Sequence, residues 1–174
     1  MQQKYKLYGK ELINRAIGNW KKVSLYSPRF ESEEYTEFEK FLLTYKDQYA
    51  QDVQILIRRI DIIKENGAED RFFRYEGSKR DRVMALPSHL DTSNLRLYCL
   101  NISHKILILG NGGIKKTQTY QEDVNLHRAV QNLQKIDIII KKLENKRIIT
   151  INGTNLHGPL ELTIDIDYNK EDLI

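Results

Sequence analysis

Between Tyr35 and Ile63 the apolar side chains recur at every third or fourth position: Tyr35, Phe38, Leu42, Tyr45, Tyr49, Val53, Leu56, Ile60 and Ile63. That is the period of one helical face. Ser32 stands where an N-cap would, Glu33 and Glu34 suit the positive end of a helix dipole, and Gly67 ends the stripe as a C-cap. The stripe is long for one helix of a compact domain, and its polar interruption at Lys46, Asp47 and Gln48 predicts a turn between the two arms of a helical hairpin. Upstream, YGKELINRAIGNW (residues 8–20) carries Leu12, Ile13, Ala16, Ile17 and Trp20 at helical spacing and predicts a short first helix.

Past Gly67 the period changes. RFFRYE (71–76), RVMAL (82–86), LRLYCLNI (95–102) and KILIL (105–109) are short, rich in β-branched or aromatic residues, and divided by Gly77, Pro87 and a turn at Ser103 and His104. They predict successive strands of an antiparallel sheet. Alternation sets Arg96 and Tyr98 on one face of the third strand and Leu97 and Cys99 on the other. The glycines of GNGG (110–113) lack the spacing and following helix of a phosphate-binding loop and predict a turn. A second short helix is expected over 121–143, with Val124, Ala129, Val130, Leu133, Ile136 and Ile140 on its apolar face. KRIITING and LELTIDIDY, flanking turn material from Thr154 to Pro159, predict a terminal hairpin.

The expected fold is therefore α+β: a small twisted antiparallel sheet packed on an N-terminal helical hairpin, with a C-terminal helix and an added β-hairpin. Length supports one domain, with a core at 22–140, a helical extension at 1–21 and a hairpin extension at 145–174.

Composition narrows the class. No apolar run approaches the roughly 18 residues of a membrane span, and MQQKYKLYGKEL has no apolar stretch of the signal-peptide kind, so a cytoplasmic protein without membrane contact is expected. The single cysteine, Cys99, has no second thiol to pair with and reads as core packing. The net charge of +4 is unevenly spread. Residues 71–148 hold 15 Lys and Arg against 7 Asp and Glu, a net of +8, between acidic segments at 23–70 (6 against 11) and 149–174 (1 against 5). A basic middle of this kind is the electrostatic footprint of a polyanion site, although scattered solvated lysines give the same count. The acidic tail suggests either a shield over that basic face or a strand pair that completes the sheet edge.

The residues to weigh are Arg71, Arg74, Arg96, Lys115 and Lys116, with Tyr98 and Tyr120 among them. Each has a plain alternative: Arg96 as the partner of a carboxylate, the two lysines as solubilising groups at a strand exit, the tyrosines as packing aromatics. His89, His104, His127 and His157 show no metal-ligand spacing, and neither metal nor cofactor is implied. His89 alone shares the stretch of the basic sheet and is a candidate acid or base.

Order and spacing add more than any one residue. IRRIDIIKENG, then ALP, LRLYCLN, KILIL and GGIKKTQ ahead of a final helix resemble the HigB-type toxins of the RelE superfamily, in the phage-derived branch, over roughly residues 22–140. The resemblance implies an mRNA interferase of a type II toxin-antitoxin system. Such an enzyme cuts mRNA, usually on the ribosome, without a metal, and is held by a cognate antitoxin that is commonly a helix-turn-helix protein. In that scheme the ribose 2′-hydroxyl attacks the scissile phosphate, cations stabilise the added charge, and an acid protonates the leaving 5′-oxygen. By position, Arg96 falls on the family's strand arginine, Lys115 and Lys116 on its basic strand exit, and Tyr120 on its following aromatic. Arg71, Arg74, Tyr98 and His89 are the implied RNA contacts. Two departures stand out: no histidine falls in the post-strand cluster, and the chain continues past the last family helix. A catalytically inactive RNA- or protein-binding module and a ParE-like gyrase inhibitor are the alternatives.

Overall fold

The computed structural model describes residues 2–9, 22–88 and 94–165. Seven strands form one sheet in the order β3-β4-β5-β6-β2-β1-β9. The strands are β1 (Gln2–Gly9), β2 (Ser24–Phe30), β3 (Arg74–Tyr75), β4 (Val83–Leu86), β5 (Leu95–Ser103), β6 (Ile106–Ile114) and β9 (Glu161–Asp165). A separate pair, β7 (Thr150–Asn152) and β8 (Asn155–His157), makes a small hairpin. Neighbours in the large sheet run antiparallel except β2 and β6, which are parallel, so the fold is α+β with a mostly antiparallel sheet. The parallel step follows from the route between them: the chain leaves β2 through two helices and returns along the β3–β4–β5 meander.

Both faces of the sheet are covered. On one, helices α1 (Glu37–Tyr45) and α2 (Ala50–Asn66) set Phe38, Phe41, Leu56, Ile60 and Ile63 against Leu97, Cys99, Leu107 and Leu109. On the other, helix α3 (Val124–Asn145) sets Leu126, Val130, Leu133, Ile136 and Ile140 against Tyr98, Leu100, Ile106 and Ile108. Two-sided burial explains why the central strands read as continuous apolar runs. The parity expected for Leu97 and Cys99 against Tyr98 places them in these two separate cores.

Several expectations are corrected. Tyr5 and Leu7 are buried while Lys4 and Lys6 are exposed, a period of two that makes residues 2–9 a strand, not part of a helical extension. The rest of the expected first helix, residues 10–21, lies outside the described residues. The strand β2 tolerates Pro28 because its ladder with β6 ends at Tyr26, leaving β1 as the remaining strand partner there. Thr36, rather than Ser32, caps α1: its hydroxyl accepts from the Glu39 N–H at 3.2 Å and the Glu39 carboxylate accepts from the Thr36 N–H at 2.8 Å. The chain does break at the polar patch, but α1 packs mainly on β6 and β2, so a hairpin closed along its length is not evident. RFFRYE divides into a 3-10 turn, Asp70–Phe72, and the two-residue β3. At 22 residues, α3 is the longest helix among the described residues. The terminal hairpin is β7–β8, turning at Gly153 with φ +59°, while β9 leaves it to pair with β1 at the sheet edge far from Arg74. The described part of the acidic tail therefore does not shield the basic cluster.

One ion-pair network fastens α3. Asp137, its side chain 1% exposed, accepts from Arg82 Nε at 2.6 Å and from the Arg82 backbone N–H at 3.2 Å, and pairs with Lys141 at 2.7 Å. Arg82 also reaches Glu144 at 3.2 Å. We expect Asp137→Ala to cost about 3–5 kcal/mol in urea unfolding, because it leaves the Arg82 charge without its buried partner. Replacing both, Arg82→Met with Asp137→Leu, should recover much of that loss; a double variant as weak as the single would show that the pair itself stabilises the fold.

Candidate functional site

The end of the β5–β6 ladder builds the candidate site. Arg96 lies opposite Gly113 and Leu97 opposite Gly112, so GNGG is the last part of a strand and not a turn. Close approach requires glycine at 112, where a Cβ would stand 1.9 Å from the Arg96 carbonyl oxygen; a Cβ on Gly113 would meet the Tyr45 hydroxyl at 2.9 Å, a side-chain tip that can shift. The irregular register between Leu97 and Cys99 marks the same crowding.

Lys115 follows directly, its backbone N–H donating to the Asn94 carbonyl at 2.9 Å. Its ammonium lies 3.4 Å from Glu76 Oε1, which is also 3.5 Å from Arg74 Nε. The Glu76 side chain is 6% exposed and that of Lys115 11%, so this carboxylate bridges one nearly buried cation and one half-exposed one. Arg96 is only 2% exposed and donates from Nη1 to the Leu95 carbonyl at 2.9 Å. Burial, then the Arg74 charge, lowers the pKa of its guanidinium, against the pull of Glu76.

Aromatic groups close the cluster. Tyr98 is fully buried and meets Tyr120 edge to face, ring centroids 6.4 Å apart; Tyr120 stacks on His127 at 6.1 Å and 17°. Two successive caps put them there. The Thr119 hydroxyl and Glu122 cap a 3-10 turn at Tyr120–Glu122, and Asp123 then caps α3 by accepting from the N–H groups of Asn125 and Leu126. His127 comes one turn later and faces back over Tyr120. Burial raises the pKa of both phenols, most strongly that of Tyr98, with Glu76 adding to the effect in each. Both are therefore protonated at neutral pH and can donate a proton. Neither the Tyr98 hydroxyl nor His127 Nδ1 has a hydrogen-bond partner among the described residues.

Of the residues singled out in the sequence, Arg74, Arg96, Tyr98, Lys115 and Tyr120 come together. Arg71 does not join them: it pairs with Glu69 at 2.8 Å and lies over the Phe72 ring. Lys116 is exposed at the strand exit, and His89 lies outside the described residues. Arg96 is a buried neighbour of the cluster and not the open phosphate-facing group expected of it.

Sequence reasoning missed Glu76 and His127. Glu76 is the one carboxylate in RFFRYEGSKR, and His127 precedes the buried Val130 by three positions, at the border of the α3 stripe. Those were the available signals. Among the described residues no group of three or more His, Cys, Asp or Glu is placed to hold a metal ion, and no helix is long and apolar enough to cross a membrane.

No family model, no curated protein and no solved structure matches this chain. The functional reading therefore rests on the geometry of the cluster and on the sequence blocks themselves.

Gly112→Ala tests the close approach that shapes the site. The added Cβ meets backbone, which cannot rotate away, so we expect a loss of about 1–3 kcal/mol or more in thermal or urea unfolding. Alanine at Gly153, whose Cβ meets nothing within 4 Å, is strained by its positive φ alone and should cost less.

Proposed function

We propose that this chain is a toxin of the RelE superfamily kind, close to the HigB type, which cleaves mRNA on the ribosome by 2′-hydroxyl attack on phosphate. The observation that carries the reading is the convergence of Lys115, Arg74, Tyr98 and Tyr120 at one end of the sheet, with Arg96 behind them. The imidazole that the sequence blocks lacked is supplied by His127 from α3. Two helices on one face of the sheet and a later helix on the other support the same reading.

In this scheme His127 takes the proton of the 2′-hydroxyl as its oxygen bonds to phosphorus; imidazole is the side chain suited to proton exchange near neutral pH. Lys115 and Arg74 stabilise the charge gathered on the phosphorane. Tyr120, kept protonated by burial, donates to the 5′-oxygen as its bond to phosphorus breaks. The products are a 2′,3′-cyclic phosphate and a 5′-hydroxyl end. Arg96 acts as a positioning residue through Arg74 and Tyr98. Glu76 holds the two outer cations until a phosphate replaces it. A cytoplasmic site of action and a cognate antitoxin, of helix-turn-helix type, belong to the same proposal.

A second reading has its own support. Glu76 neutralises Lys115, and Arg96 is buried, which suits a module that binds RNA or an acidic protein without cutting it.

Expression without a partner should arrest growth and shorten transcripts. Lys115→Ala should lower cleavage about 100-fold or more, the usual effect of removing one charged transition-state donor. His127→Ala and Tyr120→Phe should abolish most cleavage while RNA binding persists. Glu76→Gln should tighten RNA binding in either reading, since it frees two cations. Intact transcripts at confirmed soluble expression, with tighter binding by Glu76→Gln, would assign the chain to the binding class.

A further inference from the structure

Helix α3 covers the sheet with one face and turns the other to solvent, and the solvent face carries charge of one sign. Arg128 and Lys142 are exposed and Lys135, midway between them, is half-buried. Successive cations are seven residues apart, roughly 10 Å along the helix axis, and seven residues fall only about 20° short of two full turns. The three therefore form a nearly straight line. Lys146 and Arg147, both exposed, extend it past the C-terminus of the helix. Beside it Lys141 donates to the Arg80 carbonyl at 2.8 Å and holds that residue, also exposed, against the helix.

The carboxylates near this line are already bound. α3 itself has two: Asp137 is buried with Arg82 and Lys141, and Glu144 is taken by Arg82. At its N-terminus Glu122 and Asp123 are engaged in the two caps. Across the notch that opens where the β2–β6 ladder ends, Glu37 of α1 is held by Lys40 and by Asn111 of β6, and Glu33 by the same lysine. No ion pair or side-chain hydrogen bond engages Arg128 or Lys135 among the described residues. On the opposite face of the sheet α2 mixes its signs, with Arg58 and Arg59 beside Asp61 and Glu65. Mixed signs keep a surface soluble; one sign alone makes a field that attracts a polyanion.

The shape of the line selects among polyanions. Surfaces for single-stranded nucleic acid combine cations with aromatic rings on which bases stack, and α3 has no Phe, Tyr or Trp. A straight, rigid row of cations suits a polyanion that is itself straight and rigid, and a duplex carries a phosphate charge about every 1.7 Å of its axis. Gln131 and Asn132 flank the line as half-buried amides. An amide can donate to and accept from the ribose 2′-hydroxyl that an RNA duplex displays in its wide, shallow minor groove. A lipid surface fits less well, because the apolar side of α3 is packed on Leu100, Ile106 and Ile108 and cannot enter a bilayer. We infer that the outer face of α3 docks double-helical RNA, with Arg128 and Lys135 on its phosphates and Gln131 and Asn132 towards its 2′-hydroxyls. The line begins one residue from His127, so a docked duplex lies beside the basic cluster. Docking itself uses none of the cluster's groups and stands whether or not the cluster cleaves RNA.

Fluorescence anisotropy of the full chain with labelled probes tests it: an RNA duplex of about 20 base pairs, longer than α3, the DNA duplex of the same sequence, and one RNA strand alone. The RNA duplex should bind tightest. Each phosphate contact contributes a slope near −0.9 to log K against log salt, so Arg128→Ala and Lys135→Ala should each weaken binding severalfold and flatten that slope by about 1. Both side chains reach solvent, and circular dichroism checks that the variants stay folded. Reversing both charges, R128E with K135E, should abolish binding. Gln131→Ala with Asn132→Ala should narrow the gap between the RNA and DNA duplexes. Arg58→Ala, on the opposite face, should change nothing; a loss there equal to that of Arg128→Ala would show that total charge binds and not the line, which overturns the inference. DNA bound as tightly as the RNA duplex, a single strand bound as tightly as the duplex, or phosphatidylglycerol vesicles bound while the duplex shows no saturable binding would each overturn it too. His127→Ala, which removes the proposed cleavage, should leave duplex affinity unchanged, so the two readings fail separately.

Discussion

The Asp137 carboxylate is the fixed point on which the arrangement of this molecule depends. It sits in the middle of α3, nearly closed to solvent, and takes up both the side chain and the backbone N–H of Arg82 at the start of β4. Apolar contact alone holds a helix on a sheet without fixing how far it slides along it. A buried carboxylate with directed donors does fix that, because any shift leaves a desolvated charge without its partner. Further contacts reinforce the position: Gln134 donates to Asp81 at 2.8 Å and Lys141 to the Arg80 carbonyl at 2.8 Å. The sliding position of α3 then decides where its first turn falls, and so where His127 meets Tyr120.

Two-sided coverage gives this sheet its core and confines its chemistry. With α1 and α2 on one face and α3 on the other, a polar group in the middle of the sheet would be sealed in. Apart from the Asp137–Arg82 network under α3, the charged clusters described above at the sheet gather where the covering stops. That occurs beyond the glycines of β6, where Lys115, Glu76 and Arg74 lie, and in the notch where β2 and β6 part, where Glu37 lies. Arg96 falls just inside the covered region. Its guanidinium is therefore desolvated, and its influence on the outer cations is exerted through the interior.

The helical stripe from Tyr35 to Ile63 was legible because its period is long enough to be unambiguous, and the polar break at 46–48 was legible for the same reason. The strands from Val83 to Leu109 were legible as apolar runs between turn residues. β1 and β2 were not, since a single alternation of Tyr5 and Leu7 is short and Pro28 argues locally against a strand that tertiary context permits. GNGG looked like a turn because glycine has two uses, and the sequence does not distinguish freedom to bend from room for a neighbouring backbone. In the candidate site, Arg96, Lys115 and Tyr120 were readable because they follow one another along a continuous β5–β6–exit path. Glu76 and His127 reach the same place from other elements, and Arg96's burial depends on what covers its face. Strand parity specifies the face and nothing about the cover.

The pairing of β1 with β9 has a consequence for how the chain reaches its fold. Gln2 lies opposite Asp165 and Lys6 opposite Glu161, so the outermost ladder joins segments from opposite ends of the described sequence. The meander of β4, β5 and β6 closes through short connections and can form early, as local contacts generally do. The β1–β9 ladder closes nearly the longest loop the described chain allows, and the entropy of that closure delays it. During synthesis β1 emerges well before its outer partner β9, the last of the described strands. Until then the outer edge of β1 offers unpaired backbone donors and acceptors, with Lys4 and Lys6 exposed beside them as charges that discourage pairing with another chain.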